Sequence, residues 1–270
     1  MPSANVPAVP PSESLPGLTD THCHLDLPAF DPDRAQVIDR ARRAGLTRIL
    51  IPGIDLAGSR RAARIARTDP MLRFAAGVHP HESSSVDRPT LAALRELAGS
   101  EGAAAIGEIG LDYFRDRAPR TDQRRAFRAQ IELAFELGLP VVFHVRDSQE
   151  DALAALSEFA GRVRGVWHAF SGDAAAAERA AELGFCFGLA GPLTYPGSGR
   201  LRDAVRAMPA DRILLETDSP YLPPQGNRGR RNEPALVFEI ACAAASERRT
   251  DARSLAHSAR RNADALFAWE

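Results

Sequence analysis

The feature that most constrains this chain is a recurring switch of period. Short apolar runs suited to strands alternate with longer stretches whose apolar residues recur at helical spacing. The strand candidates are 18–24, 46–53, 72–80, 103–111, 140–145, 165–170, 185–191 and 212–218. Between them lie helical stretches such as DRAQVIDRARRAG (33–45) and TDQRRAFRAQIELAFELG (121–138). The second places Phe127, Ile131, Ala134 and Phe135 at helical spacing, with Asp122 near its start and Gly138 as a C-terminal stop. NEPALVFEIACAAASERR (232–249) and SLAHSARRNADALF (254–267) close the chain. Eight such units of about 30 residues predict an α/β fold, a single (β/α)8 TIM barrel. An open, doubly wound sheet shows the same alternation and stands as the rival. Composition does not break within 18–270, so one domain is expected there. Residues 1–17 hold five prolines, no basic residue and no apolar run, and read as a flexible tail.

Of the 270 residues 44% are hydrophobic, ample for a core, and the net charge of -1 gives no long-range basic field to recruit nucleic acid. A local arginine patch is still compatible with that balance. All 34 basic residues are arginine. Without lysine there is no Schiff-base lysine, no P-loop lysine and no carboxylated lysine to bridge two metals. The three cysteines, Cys23, Cys186 and Cys242, are odd in number and widely spaced. That pattern suits a reducing compartment rather than a disulfide framework. Cys23 and Cys186 read as small buried residues. No segment approaches the roughly 20 apolar residues of a spanning helix, and a cytoplasmic location is expected, with no membrane association and no obligate protein partner.

TDTHCHLD (19–26) puts two of the seven histidines one residue apart. Alternate strand residues share a face, so His22 and His24 point together and Cys23 points away. Alone, the pair fits two half-exposed strand histidines as well as it fits a metal site. The other strand ends change that balance. Glu108 lies in IGEIGLD, His144 in VVFHVRD, His168 in VWHAFSG and Asp218 in LLETDSP, each where an apolar run gives way to a loop. All are metal-ligating types. In a closed barrel the eighth strand returns beside the first, so all six converge on the C-terminal mouth, where barrel enzymes keep their active sites.

With these motifs, GVHPHE (77–82), GEIGLDYFRD (107–116), FHVRDS (143–148), HAFSG (168–172), ETDSPYL (216–222) and RRNEP (230–234) the chain resembles the TatD family of metal-dependent deoxyribonucleases and related hydrolases. The resemblance runs from about Thr19 to Phe267. It implies two divalent metal ions, Zn, Mg or Mn, with His22, His24, Glu108 and Asp218 holding the first. Glu108, His144 and His168 would hold the second, Glu108 bridging. It further implies a 3′–5′ exonuclease acting on DNA at single strands or 3′ ends, with RNA an open alternative. FGLAGPLTYPGSG (187–199) departs from the pattern, since relatives more often show a serine-glycine strand and a lysine-bearing loop there.

The chemistry expected is attack of activated water on phosphorus. Asp218 is the candidate general base, or else purely a ligand. His79 faces the same mouth and is a candidate donor to a phosphate oxygen or the leaving group; Glu82 is a lesser candidate and His81 a loop residue. His257, in a C-terminal helix, reads as surface. Arg146 shares a face with His144, and Arg115 and the Arg228, Arg230 and Arg231 cluster are candidates for phosphate contacts. Tyr113, Phe114 and Tyr221 are candidates for stacking on a base. Two rival readings are a metal-dependent hydrolase of a small ester, amide or phosphotriester, and a metal-holding interaction protein without turnover.

Overall fold

Runs such as LTRILIP and VVFHVR are rich in β-branched and aliphatic residues and carry apolar side chains on both faces. They are stable only with both faces covered, which is how parallel strands sit between helices and a barrel interior. The computed structural model describes residues 15–269. Eight strands form one sheet in chain order: β1 (Leu18–Asp20), β2 (Leu46–Pro52), β3 (Leu72–Ala76), β4 (Ala105–Asp112), β5 (Val141–Arg146), β6 (Gly165–Trp167), β7 (Cys186–Leu189) and β8 (Ile213–Leu215). Each neighbouring pair is parallel.

The helices between them are α1 (Arg34–Arg43), α2 (Leu56–Ala66), α3 (Arg88–Glu101), α4 (Arg120–Leu137), α5 (Gln149–Ser157), α6 (Ala174–Glu182) and α7 (Gly199–Ala207). After β8 come α8 (Val237–Arg248) and α9 (Ala252–Phe267). Asp87 caps α3 by accepting from the Thr90 N–H, which satisfies one of the orphan donors of the first turn. α4 ends at the expected glycine, Gly138, in the left-handed region at φ 67°.

Closure decides between the two architectures. An open doubly wound sheet reverses its strand order at a switch point; here the order never reverses. The Thr21 N–H donates to the Leu215 carbonyl at 3.0 Å and the His24 N–H to Ser219 at 2.8 Å, so the chain leaving β1 pairs with the chain leaving β8. The fold is a TIM barrel.

Several strands stop earlier than the apolar runs suggest. Regular pairing ends at Asp20, Ala76, Trp167 and Leu215, and the polar residues beyond each leave the ladder at the mouth. Of the expected tail, residues 1–14 lie outside the described residues. Leu15 belongs to the buried core and the Gly17 N–H donates to the Gly45 carbonyl, so the packed chain begins before residue 18. No helix among the described residues is long and apolar enough to cross a membrane.

Candidate active site and metal centre

The aim of Glu108 follows from an irregularity in β4. Ile106 pairs with Val141 but Ile109 with Phe143, so three steps on β4 face two on β5. The extra residue bends the strand and re-aims side chains near it. Gly110, at φ 136°, must be glycine: a Cβ there would lie 2.1 Å from the His144 carbonyl oxygen.

His22 and His24 follow β1 in extended chain that pairs alternately with both neighbours. The Cys23 N–H donates to Leu50 at 3.0 Å and the Asp218 N–H to the His22 carbonyl at 2.8 Å. The expected parity holds: Cys23 is fully buried on one side, and the His22 and His24 Nε2 atoms meet at 3.2 Å on the other. Asp218 has φ 58°, a left-handed conformation that aspartate tolerates better than most residues.

Glu108 Oε2 stands 3.3 Å from His22 Nε2 and 3.7 Å from His24 Nε2. Asp218 Oδ1 stands 3.4 Å from His24 Nε2 and 3.8 Å from His22 Nε2. Tetrahedral ligands about 2.0–2.2 Å from an ion lie about 3.3–3.6 Å apart. Two ring nitrogens and two carboxylate oxygens thus crowd one point, and a divalent cation reconciles their lone pairs. The other Glu108 oxygen, Oε1, faces a second set: His144 Nδ1 at 3.1 Å, His79 Nε2 at 3.6 Å and His168 Nε2 at 3.7 Å. One carboxylate therefore serves two groups of nitrogens, each able to hold a divalent ion.

His79, Glu108 and His144 form a set with ligand atoms within 4.8 Å of one another, whereas His168 stacks on His22 at 3.4 Å between centroids. Hydrogen bonding sorts the two histidines. His168 Nδ1 is 2.7 Å from Glu216 Oε1, which anchors a proton on Nδ1 and turns Nε2 toward the cluster, where displacing its proton would free a lone pair for ligation. His79 Nδ1 accepts from the His81 N–H at 3.2 Å. Its own proton in the neutral ring then sits on Nε2, which makes His79 a donor into the site rather than a ligand.

The electrostatics are those of a cluster suited to cations. Burial opposes charge on Glu108, yet His79, His22 and His168 hold it well below the usual carboxylate range. Burial likewise opposes charge on Asp218, and His24 and His168 keep it low. Burial depresses His79 to about 3, so it is neutral at physiological pH. It also works against His168, but Glu216 and Glu108 lift that ring to about 10. His24 and His144 are raised too, burial being overcome by Asp218 and by Asp112 respectively. In the ion-free protein these rings hold protons that ligation must displace. Metal uptake should therefore release protons and strengthen by about tenfold per pH unit for each proton displaced. The rise should persist from pH 6.5 toward about 10, where His168 loses its proton unaided. Titration calorimetry in buffers of differing ionisation heat measures the release directly.

Two carboxylates escaped the sequence reading. Glu216, fully buried, orients His168 and also accepts from the Ala169 N–H at 2.6 Å. Asp112 accepts from His81 Nε2 at 2.8 Å and lies 3.5 Å from His144 Nε2, turning that ring so that Nδ1 meets Glu108. The available signal was parity: Glu216 lies two residues before Asp218, on the same face. Carboxylates that fix ligand histidines typically govern metal affinity. Glu216→Gln should weaken binding about 10- to 100-fold, measured by chelator competition.

The mouth encloses a cavity of about 740 Å3 lined by His24, His79, Glu108, His144, His168 and Asp218, with His22 behind them. Arg115 and Arg146 line it, as does Arg117, which the sequence reading passed over. The cluster after β8 divides. Arg231 does not line the cavity: it grips Asp33 through two bonds of 2.7 and 2.8 Å and covers the Phe30 ring. Arg230 is exposed and also off the cavity wall, and Arg228 lies over Tyr195. The expected phosphate contacts from Arg230 and Arg231 are therefore not where the chemistry would be. Arg231 ties the loop after β8 onto α1 instead, beside an Arg40–Glu233 pair at 2.7 Å. His81 and Glu82 line the cavity, and His257 is exposed near Arg261.

A sequence profile of the family described as TatD related DNase matches residues 19–268. The chain belongs to the TatD family. It is 36% identical over 251 residues, 93% of this chain and 98% of the relative, to an uncharacterized metal-dependent hydrolase, YabD, of Bacillus subtilis. A protein named 3′-5′ ssDNA/RNA exonuclease TatD, from Rahnella, is 41% identical over 246 residues, 88% of this chain and 94% of the relative. Among solved structures, YjjV, a TatD homolog of Escherichia coli, superposes with a TM-score of 0.89 at 31% identity, covering 94% of this chain and 99% of the other. This TatD-family member is a metal-dependent hydrolase acting on phosphodiester bonds. Within 187–199 lies Gly188, where a Cβ would lie 2.0 Å from Glu216 Oε2. The missing side chain leaves room for the carboxylate that orients His168.

Proposed function

We propose that this protein removes nucleotides from the 3′ ends of single-stranded DNA and RNA in the cytoplasm, using two divalent ions at the barrel mouth. The observation that carries the reading is the division of Glu108, one oxygen toward His22 and His24 and the other toward His144 and His168. In it, His22, His24, Glu108 and Asp218 hold one ion and Glu108, His144 and His168 the other. Bound there, the ions would bring the pKa of water toward neutrality and offset charge on the phosphoryl oxygens.

The protein's own groups do the rest. Asp218, an ionised carboxylate, accepts the proton of the attacking water. His79, neutral with its proton on Nε2, donates to the departing oxygen or a phosphate oxygen. Arg115, Arg117 and Arg146 hold the phosphates on the cavity wall. The near-neutral net charge suits a local grip on a strand end over broad duplex binding. The relatives named ssDNA/RNA exonucleases support the same substrate class, and an odd, widely spaced set of three cysteines suits a reducing compartment.

The experiment is release of labelled nucleotide from single-stranded DNA and RNA, labelled at either end, with Mg2+, Mn2+ or Zn2+. Mononucleotides should leave first from the 3′ label. Early release from the 5′ label, or cleavage of duplex as fast as single strand, would refute the proposal.

A further inference from the structure

We propose that Phe114 and Tyr221 are two nucleobase platforms on opposite sides of the metal cluster, seating the bases on either side of the scissile phosphate. The inference rests on the nucleic-acid reading above and assigns the substrate's two reading positions within it.

Large apolar side chains are almost all buried here. Among the described residues the exposed ones are Phe114 at 57%, Tyr221 at 54% and Phe135 at 46%. Phe135 is on α4, on the outer ring of helices and away from the mouth, with Arg162 5.3 Å from its centroid. Tyr221 lines the mouth cavity, and Phe114 stands at its rim against Arg146, which lines it. Phe114 follows β4, two residues beyond Asp112, and the Arg146 guanidinium lies 4.0 Å from its ring centroid. A cation over one face holds the ring in place while more than half of its surface stays open. Tyr221 follows β8. Its N–H donates to the Asp218 carbonyl at 2.8 Å and its own carbonyl accepts from Asn232 Nδ2 at 2.6 Å, which fixes its backbone beside a candidate ligand. Its ring meets His24 edge-on, centroids 6.1 Å apart, and lines the cavity.

Tyr113 shows what an aromatic with a structural task looks like. Its hydroxyl donates to Asp151 of α5 at 2.6 Å and it is not among the exposed large side chains, so its ring is tied into the structure. Phe114 has Arg146 at 4.0 Å and Arg115 at 6.0 Å from its centroid and is still more than half exposed, and no hydrogen bond ties down the Tyr221 hydroxyl among the described residues.

Position in the barrel separates the two platforms. β4 and β8 are four places apart in a ring of eight, hence across the mouth from each other. One base cannot lie on both. Two successive bases can, with their shared phosphate over Glu108 and Asp218. The cavity, about 740 Å3, is toward the upper end of the roughly 300–1,000 Å3 of ordinary ligand pockets. Arg115, Arg117 and Arg146 line it and make no ion pair with a carboxylate among the described residues. Most arginines on the outer helices do, as Arg95 does with Glu136 and Arg206 with Glu247. Stacking does not discriminate strongly between bases, since every base offers a π-face. Such a mouth selects for two adjacent unpaired bases, and a duplex end must fray by two pairs to enter.

The test measures kcat/KM on single-stranded oligonucleotides carrying an abasic site at the terminal or the penultimate position, with Mn2+ present. For the unmodified protein each abasic site should cost about 5- to 150-fold. Phe114→Ala should abolish the penalty at one position and Tyr221→Ala at the other, while Phe114→Trp keeps it. Equal loss on all substrates in both variants, or no penalty in the unmodified protein, overturns the platforms while leaving the nuclease reading intact. No release from intact oligonucleotide with any of the three ions overturns both.

Discussion

Glu108→Gln should lower turnover on single-stranded DNA by roughly a thousandfold or more while leaving the barrel folded. The change is nearly isosteric, so the β4 bulge and the packing around it persist. What disappears is the negative charge between five histidines. Among the described residues Glu108 is the side chain whose two oxygens face both groups of nitrogens, at 3.3 Å on one side and 3.1 Å on the other. Glutamine presents one carbonyl oxygen and one NH2 group, which cannot ligate. One position is thus weakened and the other deprived of its bridge. A bound ion contributes several kcal/mol of transition-state charge stabilisation, and about 4 kcal/mol corresponds to a thousandfold in rate. Elemental analysis should show reduced metal per chain alongside the lost activity. Full occupancy with wild-type turnover would mean that the two groups of histidines do not act through this carboxylate.

How much of this could be read from the chain alone follows from the range of each interaction. The barrel was legible because strand and helix periods are local, and the convergence of His22, His24, Glu108, His144, His168 and Asp218 because each ends an apolar run. Partners were not legible. Arg231 belongs to Asp33, 198 positions away, and no local pattern separates that arginine from one aimed at phosphate. Glu216 and Asp112 sit in or beside strands whose polar residues look like ordinary strand ends. Only the folded register shows that Glu216 meets His168 and Asp112 meets His81. Strand lengths were overestimated for a related reason. The apolar-to-polar transition marks where side chains change environment, whereas pairing stops where the backbone splays to carry the ligands.

The sharpest separation of roles comes from Asp218→Asn. If Asp218 both holds an ion and accepts the proton of water, the substitution should reduce kcat by about 10²- to 10⁴-fold even at saturating metal. Asparagine can offer its carbonyl oxygen to an ion, yet it has no basicity to receive a proton. If Asp218 is only a ligand, excess metal should restore most of the rate. The pH profile distinguishes the cases further. Asp218 is held low by His24 and His168 against the opposing effect of burial, so it stays ionised through the neutral range. The acid-side loss of activity should therefore track the raised histidines, His24, His144 and His168, which compete with metal for their protons. Raising the metal concentration should move that acid limb to lower pH in the unmodified protein. In Asp218→Asn the limb should still move with metal, but the plateau should stay low. A plateau recovered to within a few-fold would reduce Asp218 to a ligand and leave the proton of the attacking water to another group on the cavity wall.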